Sequence, residues 1–160
     1  MLHPCHGLFQ LRPPSSPADW EAYHRIRKEV LLEAQKYAVE HSNEEAPGCH
    51  PMLLWLDQQP VGSIRIDIDD QGRAGLRLVA VHPELQQRGC GRALLRLAEE
   101  FARSHGCTRT VLYSTLDAVG FYAKSGYCEE DWDDVYVSGI VQMAKLLCEA
   151  PEGTILGETR

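Results

Sequence analysis

Residues 78–95 read Leu78-Val79-Ala80-Val81-His82-Pro83-Glu84-Leu85-Gln86-Gln87-Arg88-Gly89-Cys90-Gly91-Arg92-Ala93-Leu94-Leu95, a short apolar strand that runs through a basic, glycine-punctuated loop into an amphipathic helix. Such a junction suits a phosphate. At the mouth of a helix several backbone N–H groups lack intrahelical acceptors and the macrodipole is positive, so an anion there gains hydrogen bonds and field together. Gly89 and Gly91 lack the Cβ atoms that would hold a pyrophosphate away from those amides, while Arg88 and Arg92 bring full charges. A nucleotide-binding P-loop would need a lysine followed by serine or threonine after the glycines, and a dinucleotide fingerprint would need a third glycine. Arg92-Ala93-Leu94 supplies neither, which argues against ATP or NAD at this loop. A plain loop that uses glycine only to turn is the structural alternative.

Two short motifs narrow the reading. Gln86-Gln87-Arg88-Gly89-Cys90-Gly91 fits Q-x-x-G-x-G/A and follows Val81-His82-Pro83, a V-x-P lead-in; Phe121-Tyr122-Ala123-Lys124-Ser125-Gly126-Tyr127 fits F-Y-x-K-x-G-F/Y further along. Their order and separation resemble the GNAT superfamily of acyl-CoA-dependent N-acyltransferases. The resemblance covers most of residues 8–145 and implies an α/β fold with a mixed central sheet and helices on both faces. It further implies acetyl-CoA as cosubstrate and a primary amine of a small molecule or peptide as acceptor, attacked directly at the thioester. A non-catalytic acyl-CoA-binding regulatory module on the same scaffold is the alternative from another class.

The resemblance also assigns residues. It places the cofactor along Val79, Ala80 and Val81, whose backbone would carry the pantetheine arm, and over Gln86, Gln87, Arg88, Gly89, Cys90, Gly91, Arg92 and Ala93. Phe121 and Lys124 join this set, with aromatic packing and an ordinary exposed lysine as their bland readings. Tyr122 is the candidate general acid, its phenol set beside the departing sulfur. An alkyl ammonium titrates near ~10.4, so the amine must lose a proton before attack. In the histone-acetylating branch a glutamate stands where this chain has Gly75, and that base is absent. Asp67, Asp69, Glu33, His41, His82 or a water relay remain as bases. Strand alternation puts Arg77 on the side of Val79 and Val81, where it would hold a substrate carboxylate or pair with Glu33; a structural salt bridge is the plainer role. Ile26 to Gln35, which contains Glu33, resembles a segment of small bacterial members that borders the acceptor cleft. Ser114-Thr115 stands where the family often carries an asparagine.

Composition sets the outer bounds. A chain of 160 residues with 44% hydrophobic residues suits one domain over 1–160, with residues 151–160 expected as a disordered tail. A formal net charge of −7 argues against nucleic acid as partner, and no apolar run is long enough for a membrane span. The start of the chain lacks a signal-peptide pattern, so a cytoplasmic location is expected. Six scattered cysteines without C-x-x-C suggest reduced thiols and no metal, His3, Cys5 and His6 being too near a terminus to argue otherwise. Oligomeric state stays open, with a homodimer one arrangement.

The remaining elements follow from spacing. Strands are expected over 8–12, 52–56, 61–68, 76–81, 110–114 and 135–143, and helices over 20–39, 92–104 and 116–124. Ser16, Pro17 and Asp19 read as a helix start, and Gly106 as a helix stop.

Overall fold

The protein is described by a computed structural model over residues 6–30 and 46–147. Seven strands form one sheet: β1 (Phe9–Arg12), β2 (Cys49–Leu56), β3 (Gln59–Ile68), β4 (Arg73–Val81), β5 (Arg109–Thr115), β6 (Cys128–Glu129) and β7 (Ile140–Leu146), in the order β1-β2-β3-β4-β5-β7-β6. Only β4 and β5 are parallel; the other neighbours are antiparallel. The described helices are α1 (Pro17–Val30), α2 (Cys90–Ser104) and α3 (Val119–Lys124). A parallel pair needs a long crossover, and α2 supplies it.

Successive strand residues face opposite sides, and each side has its own core. Leu53 and Ala80 pack under Ala22, Tyr23 and Ile26 of α1, whereas Leu54, Ile64, Ile66, Leu76 and Leu112 pack under Leu94, Leu95, Ala98 and Ala102 of α2. The expected α/β sandwich with helices on both faces is therefore present. Each fully buried leucine contributes roughly 1.5–3 kcal/mol by removal from water, which makes the α2 face the main source of cohesion.

Helix ends follow their local chemistry. Ser16 Oγ accepts from Asp19 N–H at 3.1 Å, while the Asp19 carboxylate reaches past Ser16 to take Ser15 N–H at 3.0 Å, a capping box displaced by one residue. At the other end of α2, Gly106 with φ +81 lets its own N–H reach Arg103 O and Cys107 N–H reach Ala102 O, both at 3.0 Å. Residues 31–45, with Glu33, His41 and the second half of the expected long helix, lie outside the described residues, as do 1–5 and the tail 148–160.

Some boundaries move. β7 begins at Ile140, and Val135, expected in that strand, lies in the preceding loop. The Gln142 side chain holds the loop there, donating to the carbonyls of Asp133 at 3.0 Å and Val135 at 2.9 Å and accepting from Asp133 N–H at 2.8 Å. Backbone groups bound to a neighbouring side chain are not available for a ladder. Helix 116–124 divides into a 3-10 turn, Leu116–Ala118, and α3.

Candidate active site

Strands β4 and β5 part company halfway along. Their pairing joins Arg73–Leu76 to Arg109–Leu112 and stops, although β4 continues to Val81 and β5 to Thr115. β5 keeps its bonds to β7 as far as Thr115↔Ile140, so the opening lies on the β4 side alone. It begins at a bulge. The β3–β4 register runs from Arg65↔Arg77 to Ser63↔Ala80, three steps on β4 against two on β3, and Leu78 takes a φ of 57. A leucine in the left-handed region costs of order 1–3 kcal/mol, so the neighbouring structure must impose it.

The bulge corrects the expectation for Arg77. An extra residue reverses the alternation, so Arg77 shares its face with Ala80 and lies on the side of α1, while Leu76 and Val81 are in the core beneath α2 and Val79 packs against it. Arg77 Nε lies 2.9 Å from Asp67 Oδ2 without hydrogen-bond alignment, and its guanidinium is 5.7 Å from the Tyr113 ring centroid. Asp67 is also held by buried Arg65, through two bonds of 2.8 Å. Both Asp67 oxygens are thus engaged by arginine, which removes it as a base. The plainer reading of Arg77, a structural ion pair, is what the geometry contains. Asp69 is likewise engaged, by Arg73 Nε at 2.7 Å and by the Gln71 and Arg73 amides.

The loop closes over the end of the opening. Gln86 is exposed, but its Nε2 donates to the Val81 carbonyl at 3.1 Å, so this side chain ties loop to strand instead of reaching toward a ligand. Gln87 and Gly89 both take positive φ, 63 and 95, and turn the chain into α2. The intrahelical ladder begins with Ala93 N–H to Gly89 O at 3.0 Å. Ala93 therefore spends its amide within the helix, contrary to its expected place among the cofactor contacts, and its side chain is buried. Amides before it lie outside that ladder and face the helix mouth. The Cys90 side chain is fully buried, whereas Arg92 is exposed and Arg88 half-buried. Nothing lies within 4 Å of the position a Cβ would occupy on Gly89. That open ground beside a helix mouth fits a pyrophosphate.

The two motifs meet in space. A Cβ on Gly91 would stand 3.1 Å from the Phe121 ring, so α3 rests its aromatic residue on the first turn of α2. Packing is thus a firm role for Phe121, which remains 38% exposed on its other side. Tyr122, the next residue, turns inward and is 7% exposed. Burial pushes its phenol up to about 12, which keeps the proton on oxygen through neutral and alkaline pH. Its hydroxyl has no hydrogen-bond partner among the described residues, unlike those of Tyr113 and Tyr127. Lys124 is exposed at the end of α3. His82 caps a 3-10 turn, its Nδ1 accepting from Glu84 N–H at 3.3 Å, with Nε2 4.0 Å from Glu29.

Sequence reasoning missed a buried polar group next to this tyrosine. Glu99, Lys145, Tyr127 and Thr110 bond to one another beneath α3. A signal existed: Leu95, Glu99 and Ala102 share one apolar helix face, and Lys145 shares the strand face of Met143 and Leu147. Each is a charge at a core position.

Comparison with known proteins agrees with this fold. The sequence profile of the acetyltransferase (GNAT) family matches residues 6–127. A rice protein (Oryza sativa subsp. japonica), glucosamine 6-phosphate N-acetyltransferase 1, is 27% identical over 129 residues, which cover 78% of this chain and 73% of the relative. A Lactobacillus plantarum structure provisionally described as an N-acetyltransferase superposes with a TM-score of 0.72 at 25% identity, covering 89% of this chain and 100% of the other. Tetrahymena GCN5 superposes with a TM-score of 0.74 at 15% identity, covering 91% and 99%.

Proposed function

The chain belongs to the acetyltransferase (GNAT) family, and from that membership we propose that it transfers an acetyl group from acetyl-CoA to a primary amine of a small molecule or peptide. The observation that carries this reading is the parting of β4 and β5 beside a glycine-opened helix mouth, with the unpartnered Tyr122 hydroxyl nearby. An extended arm has strand backbone to lie against at Val79–Val81, and a pyrophosphate has the amides and arginines of Arg88–Arg92. The cosubstrate supplies an activated acyl group on sulfur.

The residues then divide the work. The amine nitrogen forms a bond to the acyl carbon as the carbon–sulfur bond breaks, the sulfur departs as thiolate, and Tyr122 Oη gives it a proton. Tyr122 recovers a proton from solvent; the acceptor ammonium loses one proton to water before attack, and the nitrogen sheds a second to water as the carbon–sulfur bond breaks. Among the described residues of β3 and β4 no carboxylate is free to take either proton, since Gly75 stands at the glutamate's place and Asp67 is held by two arginines. Lys124 and Phe121 border the cofactor, Lys124 as a counter-charge.

The acceptor reading draws on Arg77. Its side chain is 35% exposed, and beyond the Nε contact its guanidinium nitrogens have no hydrogen-bond partner among the described residues. An acceptor phosphate or carboxylate would find two donors there. The rice relative's name describes an acceptor of that kind. Glu33, the proposed companion, belongs to the segment outside the described residues.

A thiol-release assay tests both levels. Acetyl-CoA is offered with amino sugar phosphates, amino acids, neutral amines and peptides, alongside calorimetry with coenzyme A. Turnover on acidic acceptors, with a raised KM for them alone in Arg77→Met, is the expected result. Tight coenzyme A binding with no turnover on any amine would instead favour the binding module, a reading that the absent base supports. No binding at all would end both.

A further inference from the structure

We propose that Glu99 and Lys145, acting through Tyr127, are positioning residues that aim the Tyr122 hydroxyl. The inference rests on the acid role of Tyr122 proposed above. Tyr122 has no side-chain hydrogen bond of its own among the described residues, so its ring direction is set by its backbone and by the rings around it. Ser125 N–H and Tyr127 N–H both donate to the Tyr122 carbonyl, at 2.9 and 3.0 Å, and the Tyr127 ring stands edge-on to the Tyr122 ring with centroids 5.8 Å apart. Whatever holds residues 125–127 therefore holds Tyr122.

What holds them is the ion pair of partly exposed Lys145 with buried Glu99. Lys145 Nζ on β7 donates to Ser125 O at 2.9 Å and to Glu99 Oε1 at 2.8 Å. Glu99, 5% exposed on α2, takes Tyr127 OH on its other oxygen at 2.9 Å, and Thr110 Oγ1 on β5 lies 2.8 Å from the same hydroxyl. The turn between these anchors passes through Gly126 at φ +97, where a Cβ would stand 3.1 Å from Lys145 Cε. Helix α2 and strands β5 and β7 thus converge on a single turn after Tyr122. Replacing a buried ion pair by apolar groups of similar volume is often neutral for stability, so stability alone does not account for one. Directional bonds to a backbone carbonyl and to a phenol specify geometry, which apolar packing does not.

The test uses Lys145→Met, which removes both lysine bonds, and Tyr127→Phe, which removes one hydroxyl. Each is made alone and together with Tyr122→Phe, and thermal unfolding verifies that it is folded. With the best acceptor from the amine panel, kcat should fall about tenfold or more in both variants, a misplacement of about 1 Å being able to cost about 10²-fold. Affinity for coenzyme A should stay within about twofold, because the phosphate loop is untouched. In the Tyr122→Phe background either change should alter kcat by less than about twofold, since no acid remains to be aimed. Unchanged kcat in a folded Lys145→Met or Tyr127→Phe protein overturns the inference. Equal losses in both backgrounds overturn it too, since they would show a merely structural role. Should Lys145→Met not fold, Tyr127→Phe decides the matter. Wild-type kcat in Tyr122→Phe itself, or no turnover by the wild type, overturns both this inference and the acid role beneath it.

Discussion

Tyr122 carries the chemistry proposed for this chain, and its surroundings are compatible with a proton donor. A buried phenol with its pKa pushed up to about 12 and no hydrogen-bond partner among the described residues stays protonated and has its hydrogen free to offer. A departing thiolate, with an ordinary pKa near ~8.5, is a weaker base than that phenolate. Full transfer is therefore uphill even to the finished thiolate, so the phenol steadies the developing charge chiefly by hydrogen bonding, and its proton passes over only as solvent returns one to Tyr122. Tyr122→Phe keeps the ring against Tyr127 and removes the proton, so kcat should fall by about 10²–10⁴-fold while coenzyme A affinity holds. Steady-state kinetics with parallel calorimetry check this, and a wild-type kcat across the pH range would return Tyr122 to packing. Its two motif neighbours have separate roles: Phe121 seats α3 on Gly91, and Lys124 stays at the surface.

At the level of elements, the loop into α2 and the first turn of α3 form one unit. The glycines of that unit are not equivalent. Gly89 faces open space but holds φ +95, so a side chain there is strained by its own backbone and intrudes where a pyrophosphate would lie. Gly91 is crowded by Phe121 at 3.1 Å, so a larger residue must first push that ring aside. Gly89→Val should weaken coenzyme A binding about tenfold or more at modest cost in stability, and Gly91→Val should lose both. Adding Phe121→Ala to Gly91→Val should restore part of the stability without restoring the affinity. Denaturation curves and calorimetry on the three proteins separate these effects, and equal behaviour of Gly89→Val and Gly91→Val would refute the distinction.

For the whole molecule the tyrosines set an alkaline limit. Tyr113 and Tyr122 are pushed up to about 12 from an ordinary 10.0, and Tyr127 is raised further, burial being the largest cause in each. Below pH 10 the folded and unfolded phenols are equally protonated and contribute no pH dependence. Above it the unfolded chain releases protons that the folded chain keeps, so stability should fall as pH rises from about 10 toward 12. On the acid side Asp133 behaves oppositely. The bond from Tyr113 OH and two backbone amides hold its carboxyl below the ordinary 3.8, so stability present above that pH should be lost as pH falls through it. Melting temperatures across both limbs, compared with Tyr127→Phe on the alkaline side, check the assignment. Coenzyme A at a hundred times its Kd should add about 2.7 kcal/mol of stability by mass action. No rise in melting temperature at millimolar coenzyme A would count against the phosphate site.

The strand-loop-helix unit, the two motifs and the two-sided sheet were legible in the sequence because their information is local. Glycine placement, helix stops such as Gly106 and the period of apolar residues all act within a few positions of themselves. Arg77 shows where that ends. Alternation assigned it to the face of Val79 and Val81, yet a bulge at Leu78, visible only once β3 fixes the register of β4, turns it to the face of α1. The distant pairings were equally out of reach. Glu99 and Lys145 are separated by 46 positions, and only the seating of α2 on a sheet that includes β7 brings their charges within 2.8 Å. A sequence states which residues carry charge and which belong in a core. Which buried charge meets which, and in what direction the reacting hydroxyl points, depends on register and layer packing, and those are properties of the folded molecule alone.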